Sequence, residues 1–246
     1  MIPTGIIFAT LDVDLDAIEQ WNRWYDLEHT PPNLWLPGVM LSRRYVAPPE
    51  LHAVRVVDPG HGMADQHVSF VTIYTLCEPP AETVAGMSTL RDKLYAEHRM
   101  NFPPDKKIVR PAGGAMSFIS GVSAKDILLP SEEVPFVGHT GMLVVHRRSD
   151  DSVGEWYRTT WSEQVVALDG VHGVATFQPG HLQGEQFDIA YFEGDPVEQT
   201  KAIRAAAPHH PDATILADAP FLLINYLDYP WADRMRASSL PQTIND

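Results

Sequence analysis

Short apolar runs and amphipathic stretches alternate along the first half of the chain, and this alternation predicts strands and helices in a fixed order. The predicted elements are a strand at 6–11, a helix at 15–34, strands at 39–46 and 67–76, a helix at 80–99 and a strand at 108–120. Apolar positions spaced by three and four residues define the first helix, and turn residues bound the strands. Pro31 and Pro32 are expected to end or distort that helix, because proline lacks a backbone donor. Strand, helix, strand, strand, helix, strand is the ferredoxin-like order.

The second half repeats this order. Its predicted elements are a strand at 138–147, a helix at 153–168, strands at 172–178 and 187–192, a helix at 197–206 and a strand at 221–228. At a constant offset of 132 residues, Trp24-Tyr25 aligns with Trp156-Tyr157 and Gly38-Val39 with Gly170-Val171. A repeat of this length indicates two copies of one fold unit.

The expected fold is therefore α+β, with two ferredoxin-like βαββαβ repeats whose antiparallel sheets pack face to face within one chain. Each sheet carries helices on one face only, so its other face needs a partner. The predicted boundaries are 1–122 for the first repeat, with an insertion loop at 47–65, 136–230 for the second repeat, and a C-terminal tail at 231–246.

Composition narrows the class of protein. The 246 residues contain 18 Lys+Arg against 32 Asp+Glu, a net charge of −14, which argues against binding nucleic acid or an anionic membrane. The single cysteine, Cys77, excludes an internal disulfide and a multi-cysteine metal site. No apolar run approaches the roughly 20 residues that span a bilayer, and the first residues are typical of a strand rather than a signal peptide. We expect a soluble, cytoplasmic protein; a homo-oligomer is neither required nor excluded.

The residues from Trp24 to Tyr45 carry a resemblance to a known family. They read WYDLEHTPPNLWLPGVMLSRRY. This run resembles the helix-and-strand signature of the dimeric α/β-barrel (ferredoxin-like) superfamily, and is most similar to its EthD-like branch. The resemblance implies the fold. It leaves the activity open, because the superfamily includes cofactor-free monooxygenases, muconolactone isomerases, polyketide cyclases and haem enzymes.

His29 is the first candidate for chemistry. It follows Tyr25 by about one helical turn, so both side chains can point toward the sheet. An imidazole with its ordinary pKa near 6.5 suits proton transfer, and Asp26 or Glu28 could orient it. The alternative is that His29 complements the dipole at the helix C-terminus. The second half has Trp161 at the equivalent position, which favours one working site and one degenerate site.

Arg43 and Arg44 are the candidate oxyanion-binding groups, since a guanidinium fork matches a carboxylate or enolate. Adjacent strand residues point to opposite faces, so only one of the two can face the helices. Which of them faces the pocket stays open at this stage. The alternative is that one pairs with Asp26 or Glu28 and the other is solvated.

Further residues are candidates for substrate binding. Aromatic side chains near the first helix favour a flat or cyclic apolar substrate, and two residues at the end of the second helix could reach the same cavity. These candidates are Trp21, Trp24, Trp35, Tyr95 and His98. The spacing of His52, His61 and His67 is irregular, so no metal site is predicted.

The sequence therefore predicts a cofactor-independent small-molecule enzyme of lyase or isomerase type. It would dehydrate, isomerise, cyclise or decarboxylate an apolar cyclic or aromatic substrate. His29 would be the acid or base, and Tyr25 with Arg43 or Arg44 would stabilise the oxyanion. The alternatives are a non-catalytic module that binds a hydrophobic ligand and an oxygenase, either cofactor-free or haem-dependent. Phosphate-cradling, dinucleotide-binding and nucleophile-elbow motifs are absent.

Overall fold

A computed structural model describes residues 2–100, 106–180, 182 and 184–244, and within these the fold is α+β, as predicted, with its main strands in one large antiparallel sheet. The last two residues of the predicted tail lie outside the described residues. The strands are β1 (Gly5–Val13), β2 (Val39–Val46), β3 (Val56–Val57), β4 (Phe70–Leu76), β5 (Lys107–Val109), β6 (Gly114–Ser123), β7 (Gly141–Arg148), β8 (Val171–Pro179), β9 (Glu185–Phe192) and β10 (Thr214–Leu223). The helices are α1 (Ile18–Trp24), α2 (Thr30–Leu34), α3 (Pro49–Ala53), α4 (Pro80–Ala96), α5 (Asp151–Trp156), α6 (Ser162–Val166), α7 (Pro196–Ala206) and α8 (Ala232–Arg236).

The main strands form a closed ring. Their order is β2-β4-β1-β6-β8-β9-β7-β10, and a further pairing joins β10 to β2. The expected sheets are thus not two separate layers, because they are hydrogen-bonded to each other along both edges. Edge pairing satisfies backbone groups that would otherwise lie unpaired at the margins of a sheet. The ring therefore encloses its own core.

The interior of the ring is filled with side chains rather than left open. Large residues from both halves meet there, and Phe8 and Phe187 have ring centroids 5.7 Å apart. Helix α1 covers one side of the ring through a second cluster around Trp21 and Tyr25. Helices α5 and α6 cover the other half through a third cluster around Tyr157 and Trp161.

The first helix of each half contains a wide, π-helical turn, at Tyr25–His29 and at Tyr157–Trp161. These two turns lie at the offset of 132 residues. The helix does not end at Pro31 and Pro32 but is distorted just before them, and both prolines lie at the start of α2, in the first turn after the π-helical turn. A proline at the start of a helical segment loses no required hydrogen bond.

Two predicted segments differ in the structure. The last strand spans Thr214–Leu223 rather than 221–228, because pairing with β7 forms a strand from residues with little strand propensity. The insertion predicted as a loop at 47–65 contains regular secondary structure. It contains α3 and β3, it buries Leu51 and Met63, and β3 pairs with β10.

The chain after β10 crosses back onto the first half. Trp231 and Met235 are buried in the cluster beneath α1, and Asp26 accepts hydrogen bonds from the backbone of Leu227 and the hydroxyl of Tyr229. The C-terminal segment is therefore part of the first half's helical layer. Within the described part of the chain, no helix is both long enough and apolar enough to cross a membrane.

Candidate functional site

Tyr25, Asp26 and Arg44 come together beneath the first helix. The Arg44 guanidinium lies 4.2 Å from the centre of the Tyr25 ring, and its Nη1 donates to Asp26 Oδ1 at 2.5 Å. Arg44 also donates to the Asn22 side chain. The buried pair with Asp26 and the bonds to Asn22 fix the helix on β2.

His29 is held differently from what the sequence suggests. Its ring stacks on Trp24 at 4.8 Å and meets the edge of Tyr25 at 4.6 Å, and its Nδ1 is buried without a hydrogen-bond partner. Burial, with the charges of Lys107 and Arg44, lowers the pKa of His29 from 6.5 to about 3. The imidazole is therefore neutral at neutral pH and a weak base, not one poised near pH 6.5.

The expected carboxylate partners do not orient His29. Asp26 is engaged by Arg44 and by the segment after β10, and Glu28 points into solvent. In the second half, Trp161 replaces the imidazole and donates its indole N–H to the Ala207 carbonyl at 2.9 Å. The position equivalent to His29 is thus an ordinary core position there.

The predicted aromatic pocket is only partly assembled. Trp21 is buried and Trp24 half-buried against Tyr25. Trp35, in contrast, is 88% exposed, and Tyr95 and His98 lie on the surface at the end of α4. These three residues line neither of the cavities described below, so their role in substrate binding stays a prediction.

The two arginines of β2 point to opposite faces, which resolves the choice left open by the sequence. Arg44 faces the helix, whereas Arg43 faces inward and donates to the carbonyls of Phe136 and Val137 at 3.0 and 2.8 Å. Both arginines, with Asp26, border a cavity of about 250 Å³ where β2 and β10 meet, which we call the seam cavity.

A larger cavity of about 360 Å³ lies at one rim of the ring, and we call it the rim cavity. Strands β7 and β8 end at this rim, and β6, β9 and β10 begin there. Mouths of barrels commonly hold ligand sites. The lining residues are Asp58, Gly60, His61, Gly62, Pro111, Ala112, Gly113, His146, Arg148, Pro179, Leu182, Glu185, Phe187, Thr214 and Leu216.

A chain of hydrogen bonds runs along the wall of the rim cavity. Glu185 Oε2 lies 2.8 Å from His146 Nε2, and His146 Nδ1 lies 2.9 Å from His61 Nε2. The backbone N–H of Met63 donates to His61 Nδ1 over 3.2 Å, and Arg148 donates to Glu185 Oε1 at 2.6 Å. One set of tautomers satisfies all of these bonds: each imidazole is neutral and each Nε2–H points toward the carboxylate.

Local structure explains how these groups meet. His146 and Arg148 are two residues apart on β7, so both project toward one face, and Glu185 lies directly opposite Arg148 on β9. The His146 ring stacks on Phe187 with centroids 4.0 Å apart. His61 lies in the segment that follows β3 and reaches His146 from there.

The segment that carries His61 is anchored at its C-terminal end through the backbone of Val68 and Ser69. Val68 is a buried β-branched residue with φ near 63°, a strained conformation. The Asp12 carboxylate accepts from the N–H groups of Val68 and Ser69 at 3.1 and 2.7 Å, and Arg110 pairs with Asp12. This clamp fixes the end of the segment against β1.

The titration of the three groups is shifted by their surroundings. Burial, together with neighbouring His61, lowers the pKa of His146 to about 4 against the opposing effect of Glu185. Burial likewise lowers the pKa of His61. Burial would raise the pKa of Glu185, but hydrogen bonds from Arg148 and His146 outweigh it and lower that pKa. At neutral pH the site is a carboxylate with two neutral imidazoles in series, which forms a hydrogen-bonded path for a proton between His61 and Glu185.

Sequence reasoning missed His146, Arg148 and Glu185, and considered His61 only as a possible metal ligand. The alternation of His146 and Arg148 on a strand was the available signal, but the register that brings Glu185 opposite is not visible in the sequence. In residues 2–100, 106–180, 182 and 184–244, no group of three or more His, Cys, Asp or Glu side chains is arranged to hold a metal ion.

Comparisons with known proteins give only distant likenesses. No family model and no curated protein sequence matches the chain. A putative monooxygenase from Lactobacillus acidophilus is 9% identical with a TM-score of 0.42, covering 92% of this chain and 100% of its own. An anthrone oxidase-like protein is 9% identical with a TM-score of 0.48, covering 90% and 92%. A chlorite dismutase from Candidatus Nitrospira defluvii is 15% identical with a TM-score of 0.40, covering 94% and 92%. Likenesses this distant do not indicate an activity for this chain.

Proposed function

We propose that this protein is a cofactor-independent enzyme that transfers protons on a small molecule bound in the rim cavity. The observation that carries the proposal is the Glu185–His146–His61 chain on the wall of the rim cavity. The class of reaction is the one the sequence suggests: dehydration, isomerisation, cyclisation or decarboxylation. The base is His61 rather than His29.

The chain supplies a path for one proton. The substrate gives its proton to His61 Nδ1 in place of the long bond from Met63, and the Nε2–H of His61 passes to His146 Nδ1. The Nε2–H of His146 then passes to Glu185 Oε2. The carboxylate becomes a neutral acid, and the substrate keeps the negative charge as an enolate or alkoxide. The transfer from His61 to His146 runs over 2.9 Å and the transfer from His146 to Glu185 over 2.8 Å, and both distances are within the range that proton transfer requires.

The shape and charge of the rim cavity favour a particular substrate. Pro111, Leu182, Phe187 and Leu216 supply apolar surface, and this suits a flat or cyclic hydrocarbon body. Arg148 is 58% exposed on its side chain at the rim and can meet a carbonyl or carboxylate oxygen. The expected substrate is therefore an apolar ring with an acidic C–H next to a carbonyl.

The test is hydrogen–deuterium exchange, since an enzyme that removes a proton from carbon also returns a deuteron in D₂O. Cyclic and aromatic ketones are incubated with the protein, and loss of the α-proton signal is followed by proton NMR. We expect exchange with the wild-type protein, and His61→Ala to lower its rate by about 10² or more. His210→Ala is the matched control, because that imidazole does not line the rim cavity.

A second variant separates this proposal from the sequence-based assignment. His29→Ala removes the imidazole beside Trp24 and leaves the rim cavity intact. If His29→Ala abolishes exchange and His61→Ala does not, the base is His29 and the rim-cavity proposal is wrong. Saturable binding of ketones without any exchange would instead favour the non-catalytic binding module.

We also infer that the chain is a duplicated dimeric α/β-barrel protein of the EthD-like branch. Three features at the offset of 132 residues support this inference. Both halves have a π-helical turn, both have a glycine with φ near 80–90°, at Gly38 and Gly170, and both have a β-bulge after it, at Val39 and Val171. Bulges and left-handed glycines are specific local features, so their recurrence at one offset favours a common origin.

A further inference from the structure

The ring of strands is closed unequally at its two junctions. Strands β6 and β8 pair from Met116 opposite Pro179 to Ser123 opposite Gly173. Strands β10 and β2 pair at only two positions, Leu222 with Val46 and Leu223 with Tyr45, and one more backbone bond joins Ile224 to Arg44. Beyond this point the two strands separate, and the seam cavity occupies the gap.

The seam cavity touches both faces of β2. Ser42 and Arg43 are adjacent on that strand and project to opposite sides of the sheet, yet both line the cavity. A cavity that reaches both must lie at the open edge of β2, where no neighbouring strand covers it. Leu41, Leu223 and Ile224 add apolar surface.

Ser42 presents a polar atom that the protein does not satisfy. Its side chain is buried, with the residue 4% exposed, and its Oγ has no hydrogen-bond partner. A buried hydroxyl without a hydrogen-bond partner destabilises the folded state, because it has lost its bonds to water. A ligand atom in the seam cavity can remove this destabilisation by accepting or donating one hydrogen bond.

Arg43 adds an uncompensated positive charge at the same cavity. Its guanidinium is held by backbone carbonyls of residues 135–137, and no carboxylate among the described residues pairs with it. None of these bonds uses its Nε–H. Arg44 differs, because Asp26 neutralises it at 2.5 Å. The seam cavity therefore combines a cation that has no counter-ion with an unsatisfied hydroxyl.

We propose that the seam cavity binds a small organic anion, an apolar carboxylate of about the size of a substituted benzoate. Its carboxylate pairs with Arg43, and a polar ring substituent can bond the Ser42 hydroxyl on the other side of β2. Its hydrocarbon part packs on Leu41, Leu223 and Ile224. The cavity of about 250 Å³ falls below the range of about 300–1,000 Å³ for drug-sized ligands, which limits the ligand to a single small ring. This site is separate from the rim cavity and does not depend on its proposed chemistry.

The test uses benzoate as the probe and benzamide as its neutral counterpart. Binding to the full-length protein is measured by isothermal titration and by saturation-transfer NMR. We expect saturable benzoate binding with a dissociation constant of the order of 1 mM, as small fragments show. We expect benzamide to bind at least about tenfold more weakly, because it cannot form a charge-assisted bond with Arg43.

Variants locate the site. Arg43→Met keeps an unbranched apolar stem and should weaken benzoate binding at least about tenfold. Because Arg43 also holds the carbonyls of residues 135–137, Leu223→Trp is the second variant: it leaves the charge in place and fills the cavity, and it should abolish binding. Arg91→Met, at an exposed arginine that lines neither cavity, is the matched control and should leave benzoate affinity within about twofold. Arg148→Met tests the rim cavity as the alternative location of the anion.

Each contrary result overturns the proposal. Equal affinity for benzoate and benzamide would show that no cation is involved. Loss of binding in Arg148→Met with retention in Arg43→Met and Leu223→Trp would place the anion in the rim cavity. Absence of saturable binding up to about 20 mM benzoate, well above the affinity expected for a fragment of this size, would show that the seam cavity takes no such ligand.

Discussion

The buried histidines make the stability of the protein fall when the solution is acidified from pH 7.5 to pH 5. His139 and His52 are each 8% exposed. Burial, reinforced by the charge of Arg43, lowers the pKa of His139 from 6.5 to about 3. Burial, reinforced by Arg55 and His67, lowers the pKa of His52 to about 2. Both imidazoles therefore stay neutral in the folded protein at a pH where the unfolded chain protonates them.

The size of the effect follows from linkage between protonation and folding. Because the folded-state pKa is the lower one, the contribution to stability is complete above pH 6.5 and is lost as pH falls toward the folded-state value. Each such histidine costs about 1.4 kcal/mol per pH unit in this window, hence about 2 kcal/mol between pH 7.5 and pH 5. His139 and His52 together remove about 4 kcal/mol, a large part of the roughly 5–15 kcal/mol that stabilises an ordinary domain.

A variant isolates one of the two contributions. In His139→Gln the amide oxygen can still accept from Tyr45, whose hydroxyl bonds His139 Nε2 at 2.8 Å, but the side chain no longer titrates. Urea unfolding is measured at pH 7.5, 6.5, 5.5 and 5.0. We expect the variant to be less stable at pH 7.5 and its loss on acidification to be smaller by about 2 kcal/mol. The double variant with His52→Gln should lose less still.

The result that refutes this reasoning is a free-energy difference between His139→Gln and wild type that stays constant from pH 7.5 to pH 5.0. A constant difference means that His139 binds its proton equally in the folded and unfolded states. That would contradict its burial between Tyr45 and Tyr191 in the ring interior.

Two further predictions concern a buried ion pair and an exposed aromatic side chain. Arg147 and Asp188 form an ion pair with both side chains fully buried, so Asp188→Ala should destabilise the fold by about 3–5 kcal/mol, since it leaves a buried cation unpaired. Lys201→Ala, which removes an exposed pair with Glu198, should change stability by less than about 1 kcal/mol, and similar losses in both urea titrations would contradict the distinction. Trp35→Ala should alter stability by no more than about 0.5 kcal/mol and leave ketone exchange unchanged, because this ring is 88% exposed; a marked fall in exchange would restore Trp35 to the substrate site.

Hydrophobic patterning predicts much of the order of strands and helices, because in most of these elements the local sequence favours the structure that the element adopts. Strand β2 has the predicted bounds, 39–46, and its apolar residues lie between turn and loop residues. The missed part of β10 shows the limit. Residues 217–220 read Ala-Asp-Ala-Pro, which favours no strand, and they adopt one because β7 and β3 supply partners on both sides.

The π-helical turn in the first helix is a second feature that the spacing of apolar residues does not predict. The prolines after His29 follow a widened turn, and the helix resumes with them in its first turn. A pattern of spacings measures how far apart apolar residues are, but it does not reveal a one-residue widening of the hydrogen-bond ladder. That widening places His29 against Trp24 and Tyr25 instead of in a cavity.

The candidate site could not be read from the sequence, because closure of the ring creates it. His61 and His146 are 85 residues apart, and His146 and Glu185 are 39 apart, yet consecutive groups lie within 3 Å. No local motif encodes such a chain, since its members come from a loop and two neighbouring strands whose register is set by pairing over their full length. The seam cavity also depends on closure of the ring, but it forms because closure is incomplete: β2 and β10 stop pairing before the gap between them is filled. Both cavities therefore depend on where the junctions of the ring fall, so a shift in strand register would remove the sites while leaving the order of strands and helices unchanged.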